Sequence, residues 1–315
     1  MRLIFFYISI FIVISCSETY NDIPDSGRKI VINGLVTTDS LINVHISRSS
    51  YIVNSKGENY DLFVNLDSAD VQFYEENTLI DSLYQIPLYS FDIHSVFNQG
   101  NYRSKSVFPK PGKQYKIIVK APTLPVASSS VIIPTVVNIL RVDTVGVILP
   151  IGSYFEINKG ILCKIEFNDP SDETNYYLLD IRNEINKDFH STENNIEFSC
   201  NDPIVEENLY SGDMNVGIAF SDRLINGQKC VINALIKRES IQILTSGSKQ
   251  TVCFRLYSIT KDFFNYIHNL NLYSKNFGNP FDDPVQVYSN IKGGYGMFSG
   301  AAVSSDSIVF PVIYH

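Results

Sequence analysis

The chain is 315 residues long and acidic, with 33 Asp and Glu against 25 Lys and Arg and a formal net charge of −8. A surface of that sign argues against a nucleic-acid partner, whose phosphates need a basic footprint, and otherwise speaks to solubility. The length fits two domains or one large β-domain.

The chain opens with MRLIFFYISIFIVISC. Arg2 supplies a short positive region, and Leu3 to Ile14 form a nearly unbroken apolar run. That run has the length of a secretory leader's core and is too short for a permanent membrane helix. Val13, Ile14 and Ser15 before Cys16 resemble a bacterial lipobox, although Ile14 and Ser15 are not its most usual residues. On this reading 1–15 is a signal peptide, and Cys16 receives a diacylglyceryl thioether and an acylated amine. Three acyl chains, at roughly 0.8 kcal/mol per buried CH₂, hold a protein on lipid essentially permanently. The rival is an ordinary leader cut nearby, with Cys16 incidental.

Residues 16–27 are polar and carry the turn-prone run Pro24–Asp25–Ser26–Gly27, which reads as a tether. Strand signals follow at once in KIVINGLV and LINVHISRS, where Ile42, Val44 and Ile46 alternate onto one face. After a polar loop around Asn54–Asn59, DVQFYEE and TLIDSLY read as a hairpin about Asn77. GNYRSKSVF, the turn Pro109–Lys110–Pro111–Gly112 and KQYKIIVKA then close a small sandwich over 28–121, immunoglobulin-like or transthyretin-like. Pro122, Pro125 and the Ser128–Ser130 run place a linker at 122–130.

Residues 131–315 read as a larger β-rich domain. GILCKIEFND and NYYLLDIRNE are strands joined through Asp169–Pro170–Ser171–Asp172, and NIEFSC, MNVGIAF, KCVINALIK, SIQILTS and QTVCFRLYSI continue the pattern. In the last, Val252, Phe254 and Leu256 alternate while Cys253 and Arg255 face the other way. One helix is expected. Thr260 caps it, Asp262 lies in its first turn, and Phe263, Ile267 and Leu270, broadened by Phe264 and Tyr266, make its apolar side. Gly278, Asn279 and Pro280 end it. Beyond it, IKGGYGMFSG alternates glycines with Tyr295 and Met297 around a bent or bulged strand. The fold class is therefore mainly β, with one C-terminal helix.

With Cys16 committed to lipid, Cys163, Cys200, Cys230 and Cys253 remain as disulfide candidates. An exported protein permits up to two bridges with three full connectivities, and the sequence does not select one. Buried free thiols are the alternative, since cysteine is a common core residue.

Three passages in this order resemble a family of Bacteroidetes lipoproteins, the domain-of-unknown-function 4249 family. They are Cys16 followed by KIVINGLVTTDSLINVHIS; ADVQFYEENTLIDSL leading to GNYRS and PGKQYKIIV; and LYSITKDFFNYIHNLN followed by PVQVYSNIKGGYGMFSG. The middle passage also resembles carboxypeptidase-regulatory-like and Cna-type β-domains. The resemblance implies association with an outer-membrane TonB-dependent receptor and an accessory role in capture or uptake. It implies no catalytic residue, cofactor or cargo. Glu18 soon after Cys16 is a weak surface-export signal, so the cell surface and the periplasmic face stay open.

No GxSxG elbow, HExxH pair or GxxxxGK[ST] loop occurs in the sequence. His45, His94, His190, His268 and His315 read as structural or surface histidines. Asp169, Asp172 and Glu173, or Asp282 and Asp283, are the candidates for a calcium site, weighed against solvent-facing turns. Glu75 and Glu76 are adjacent on a strand, so they face opposite ways and do not make a glycosidase pair. Tyr273, Phe277, Phe281 and Tyr288 are the aromatics that might otherwise line a glycan or peptide surface, weighed against core packing. The expectation is a noncatalytic outer-membrane lipoprotein assisting receptor-linked uptake. An adhesion or assembly module and a carbohydrate or peptide hydrolase are the alternatives.

Overall fold

The computed structural model describes residues 27–49, 64–87, 100–148, 160–183, 196–211, 214–237, 250–276 and 287–310. Among them, in chain order, are β1 (Ile30–Thr37), β2 (Asn43–Arg48), β3 (Val64–Asn65), β4 (Asp70–Glu75), β5 (Thr78–Gln85), β6 (Tyr102–Arg103), β7 (Gln114–Lys120) and β8 (Ala127–Ile132). The remainder comprises β9 (Ile139–Ile148), β10 (Gly160–Asn168), β11 (Tyr176–Asn183), β12 (Phe198–Ser199), β13 (Glu207–Ser211), β14 (Met214–Ser221) and β15 (Lys229–Lys237). Last come β16 (Gln250–Ile259), helix α1 (Lys261–Asn276) and β17 (Tyr295–Phe310). The protein is mainly β, with two sheets and, among the described residues, one α-helix near the carboxyl end.

Thirteen strands form one sheet in the order β13-β14-β11-β16-β17-β1-β2-β6-β5-β4-β7-β8, with β3 alongside β2; β12-β15-β10-β9 form the second sheet. β17 sets this order. Its first part runs parallel to β1, from Val31 opposite Tyr295 to Thr37 opposite Ala301. Its second part runs antiparallel to β16, from Ile259 opposite Ala301 to Gln250 opposite Phe310. One strand thus joins the first and last segments of the fold, with the hand-over at Ala301.

Alternation along the strands fills three cores. The first takes Ile30, Ile32, Val44, Ile46, Phe73, Tyr115 and Ile117, and borrows Phe298 and Ala302 from β17. The second lies between the two sheets, around Phe167, Tyr177, Phe220 and Phe254. The third lies under α1, where Phe263, Tyr266 and Ile267 cover Leu178, Tyr257, Ile259 and Met297. Thr260 caps that helix as expected, its Oγ1 accepting from the N–H of Phe263 at 3.3 Å.

The hairpin expected about Asn77 is β4–β5, with Glu75 opposite Thr78 and Glu76 at φ 55° in its turn. Residues 122–130, expected as a linker, contain the start of β8, which pairs with β7 from Val119–Ala127 to Gln114–Ile132. The prolines there shape a turn between neighbouring strands, and the first core runs past them to Val131 and Ile133. Proline breaks a ladder wherever it stands, so it does not distinguish a turn within a domain from a boundary between two.

The glycines of IKGGYGMFSG let β17 approach β1. Gly296 has φ +100°, and a Cβ there would lie 2.2 Å from the carbonyl oxygen of Ile32; at Gly294 it would lie 2.4 Å from that of Ile30. Both obstacles are backbone atoms of the paired strand. We therefore expect Gly296→Ala to destabilise the protein by about 2–4 kcal/mol, combining left-handed strain with a clash the ladder cannot relieve. Thermal or urea unfolding measures this; a midpoint equal to that of the parent would show that the close approach is dispensable.

Candidate functional site

Four polar constellations are built from the residues above. At the β10–β11 connection, Asp169 accepts from the Tyr177 hydroxyl at 2.5 Å and from the N–H of Gly227 at 2.9 Å. Asp222 accepts from the N–H of Asn175 at 2.7 Å. Burial raises the Asp169 carboxyl above its ordinary range, and these two donors only partly oppose it. Each oxygen of Asp169 is engaged within the fold while Asp172 and Glu173 are exposed, so the three do not converge as calcium ligands. Among the described residues no three His, Cys, Asp or Glu side chains are grouped to hold a metal ion. Asp282 and Asp283 lie outside the described residues.

The second constellation docks the 287–290 segment onto α1. Tyr288 donates to Asp262 Oδ1 at 2.7 Å, and Asn290 Nδ2 donates to Asp262 Oδ2 at 3.1 Å and to the carbonyl of Phe298 at 2.8 Å. Asn290 Oδ1 accepts from the N–H of Phe298 at 2.9 Å. Burial and the neighbouring Asp262 push the Tyr288 hydroxyl up to about 12. Of the aromatics put forward as a recognition surface, Tyr288 is therefore held against the helix and Tyr273 is exposed. Phe277 and Phe281 lie outside the described residues.

The third is His45, buried on β2 with Nε2 2.8 Å from Asn65 Oδ1. Burial lowers its pKa, and the bond to Asn65 only partly opposes this. His268 pairs with Glu207, which also accepts from Asn271 Nδ2 at 2.6 Å. His94, His190 and His315 lie outside the described residues. Glu75 accepts from Tyr115 at 3.1 Å, and Glu76 pairs with Lys113 at 3.2 Å, so the two glutamates serve separate contacts.

The fourth constellation is the candidate site. On the β11–β16 face turned away from the second core, Asp180 stands opposite Arg255, Arg182 opposite Cys253, and Leu178 opposite Tyr257. Arg182 is ion-paired with Asp180, and Arg255 Nη1 lies 3.4 Å from Asp39 Oδ2. Thr37 Oγ1 donates to Asp39 Oδ1 at 2.6 Å, so the β1–β2 turn is clamped to β16. Burial opposes the charge of Arg182, but the Asp180 carboxylate more than offsets it, and the pKa is raised. Burial pushes the Tyr257 hydroxyl up to about 12, with the two arginines opposing the rise. Planar guanidinium groups suit carboxylate and hydroxyl partners. Exposed Ser305 and Ser307 of β17 stand beside Arg255 and Cys253 and extend the polar face into solvent.

Period-two alternation around Arg255 already placed it off the core. Its meeting with Asp180, Arg182 and Asp39 depends on strand order, which no local pattern carries.

The disulfide expectation is corrected. Cys163, Cys200, Cys230 and Cys253 are all free thiols. On the β10–β15 ladder Cys163 stands opposite Ala234 and Cys230 opposite Phe167. Their registers are four residues apart, about 13 Å of strand, whereas a bridge needs Cα atoms within about 7 Å. Cys253 belongs to the other sheet, and Cys200 follows β12. Burial pushes the Cys163 and Cys230 thiols up to about 12, which makes them poor nucleophiles. Cys16 and the leader lie outside the described residues.

An acidic, mainly β body whose last strand closes onto its first is the class of protein these observations define. The chain belongs to the family described as Domain of unknown function (DUF4249), whose profile matches residues 17–307. A search of curated proteins finds no match.

His45 gives this region a pH signature. Its folded pKa lies below its unfolded value, so the unfolded chain binds the proton first and stability falls as pH drops through about 6.5. Unfolding midpoints between about pH 7.5 and 5.5 should therefore decline more steeply in the parent than in His45→Gln. Parallel slopes would contradict the buried neutral imidazole.

Proposed function

We propose that this protein is an exported lipoprotein anchored through Cys16, which acts without catalysis in receptor-linked capture or uptake at the outer membrane. The observation that carries the reading is the apolar leader ending at Cys16, followed by a short polar stretch that enters β1. The resemblance to receptor-associated lipoproteins of Bacteroidetes supports a TonB-dependent receptor as the partner, and the likeness of 69–119 to carboxypeptidase-regulatory-like and Cna-type domains supports a display role. The fold supports the noncatalytic part, because Asp169, Asp262, His45, His268 and Glu75 each hold strands, turns or the helix in place.

In this reading the β11–β16–β17 face, with Arg255, Ser305 and Ser307, meets the partner or a glycan or peptide cargo. Its exposed hydroxyls and a guanidinium rigidly mounted on strands offer hydrogen bonds at little ordering cost. Crosslinked purification of the lipidated protein from its native membrane tests the proposal. We expect an acylated Cys16 peptide and a TonB-dependent receptor, with receptor recovery reduced by Ser305→Tyr while anchoring is unchanged. A mature terminus elsewhere, or consistent absence of such a receptor, would overturn it.

A further inference from the structure

Basic charge gathers at the place where the chain enters the fold. Arg28 and Lys29 lead into β1, and Arg48 stands opposite Ile30 at the end of β2. Lys29 and Ser49 tie these two strand ends together, with 2.9 Å bonds in both directions. Lys292 pairs with Ser128 through bonds of 2.8 and 3.0 Å, next to Val126. Gly294 lies against the carbonyl of Ile30, which brings the Lys292 segment beside the start of β1. Tyr295 completes the group, its ring 4.8 Å from the Lys29 ammonium.

Among the described residues none of Arg28, Lys29, Arg48 and Lys292 forms an ion pair. The nearby Lys120 is balanced by Asp70 at 3.9 Å. Four uncompensated cations therefore share one pole of a protein whose formal net charge is −8. Two exposed apolar groups stand with them, Tyr295 at 40% and Val126 at 52% of full exposure.

We propose that this pole docks on a membrane surface bearing anionic phospholipid headgroups, with Tyr295 and Val126 at the interface. The inference rests on the anchor reading for its geometry. Eleven residue steps separate Cys16 from Gly27, which span at most about 40 Å. A lipid-attached sulfur therefore holds this pole, and no other, close to the headgroups at high effective concentration. A basic residue near an anionic leaflet contributes about fivefold in binding, and the attraction fades beyond a Debye length of about 10 Å at 0.1 M salt. Aromatic rings with a polar tip favour that same boundary. Glu18, Asp22 and Asp25 of the connecting stretch carry the opposite sign, so the attraction belongs to the folded pole.

The chain has no tryptophan, which provides a clean reporter. The lipidated mature protein carrying Tyr295→Trp is reconstituted in phosphatidylcholine vesicles, with or without phosphatidylglycerol, and quenched by brominated lipid. A matching protein with Phe108→Trp reports from the other end of β2, where Val107 bonds to Ile42. We expect quenching at position 295 that needs the anionic lipid, is reversed by salt, and falls on Lys29→Glu with Lys292→Glu. Docking of that double variant should be at least about 25-fold weaker, while position 108 stays unquenched throughout. Circular dichroism confirms that each variant is folded.

Equal quenching in neutral and anionic vesicles overturns the proposal. So does an unchanged signal in the double variant, which would mean that the basic groups serve the connecting stretch or a protein partner instead. The mass of the Cys16 peptide in the same sample tests the anchor separately. If that residue carries no acyl group the anchor reading fails, and salt-sensitive co-sedimentation of the same chain with anionic vesicles still decides whether the pole docks.

Discussion

The parallel contact between β1 and β17 is the constraint on which the rest of the fold depends. Parallel neighbours cannot be joined by a tight turn, so this pair forms only when residues some 260 positions apart meet. Where they meet, the backbones approach so closely that a Cβ at position 294 or 296 would collide with a carbonyl oxygen. The contact supplies Phe298 and Ala302 to the first core, and Met297 and Ala301 to the core beneath α1. Full burial of a side chain such as Phe298 contributes roughly 1.5–3 kcal/mol, so the closure draws its stability from both cores.

Polar groups reinforce the same junction. Asn290 bridges Asp262 at the head of α1 to the backbone of Phe298, and Asp39 pairs with Arg255 across the β1–β2 turn. Both lie where segments distant in the chain converge, and both satisfy groups that would be costly to leave unpaired away from water. The passages that mark the family, around the helix and the glycine-rich strand, thereby acquire a structural meaning. They build the joint between the first strand and the last.

Local features were legible in the sequence because local physics determines them. Thr260 caps its helix, Glu76 and Asn77 turn a hairpin, and Val252, Phe254 and Leu256 share one buried face. What was hidden depended on strand order. Pro122 and Pro125 look the same in a linker and in a turn between neighbours, and here β7 and β8 flank them. Cysteine counting cannot register that Cys163 and Cys230 share a ladder at positions too far apart to bridge. The Asp180, Arg182 and Arg255 face was half visible, since alternation moved Arg255 off the core but named none of its partners. Lys29 and Lys292 gave no sign of their proximity until β17 lay beside β1.

Hydrogen exchange resolved along the chain tests this joint most directly. If β17 holds the two regions as one cooperative body, the amides of β1, the first half of β17 and β16 open together in a single global event, with similar protection and similar sensitivity to denaturant. Early exchange of β1 and residues 296–301, while β11 and β16 stay protected, would show that the region around β1 opens on its own and would contradict the account.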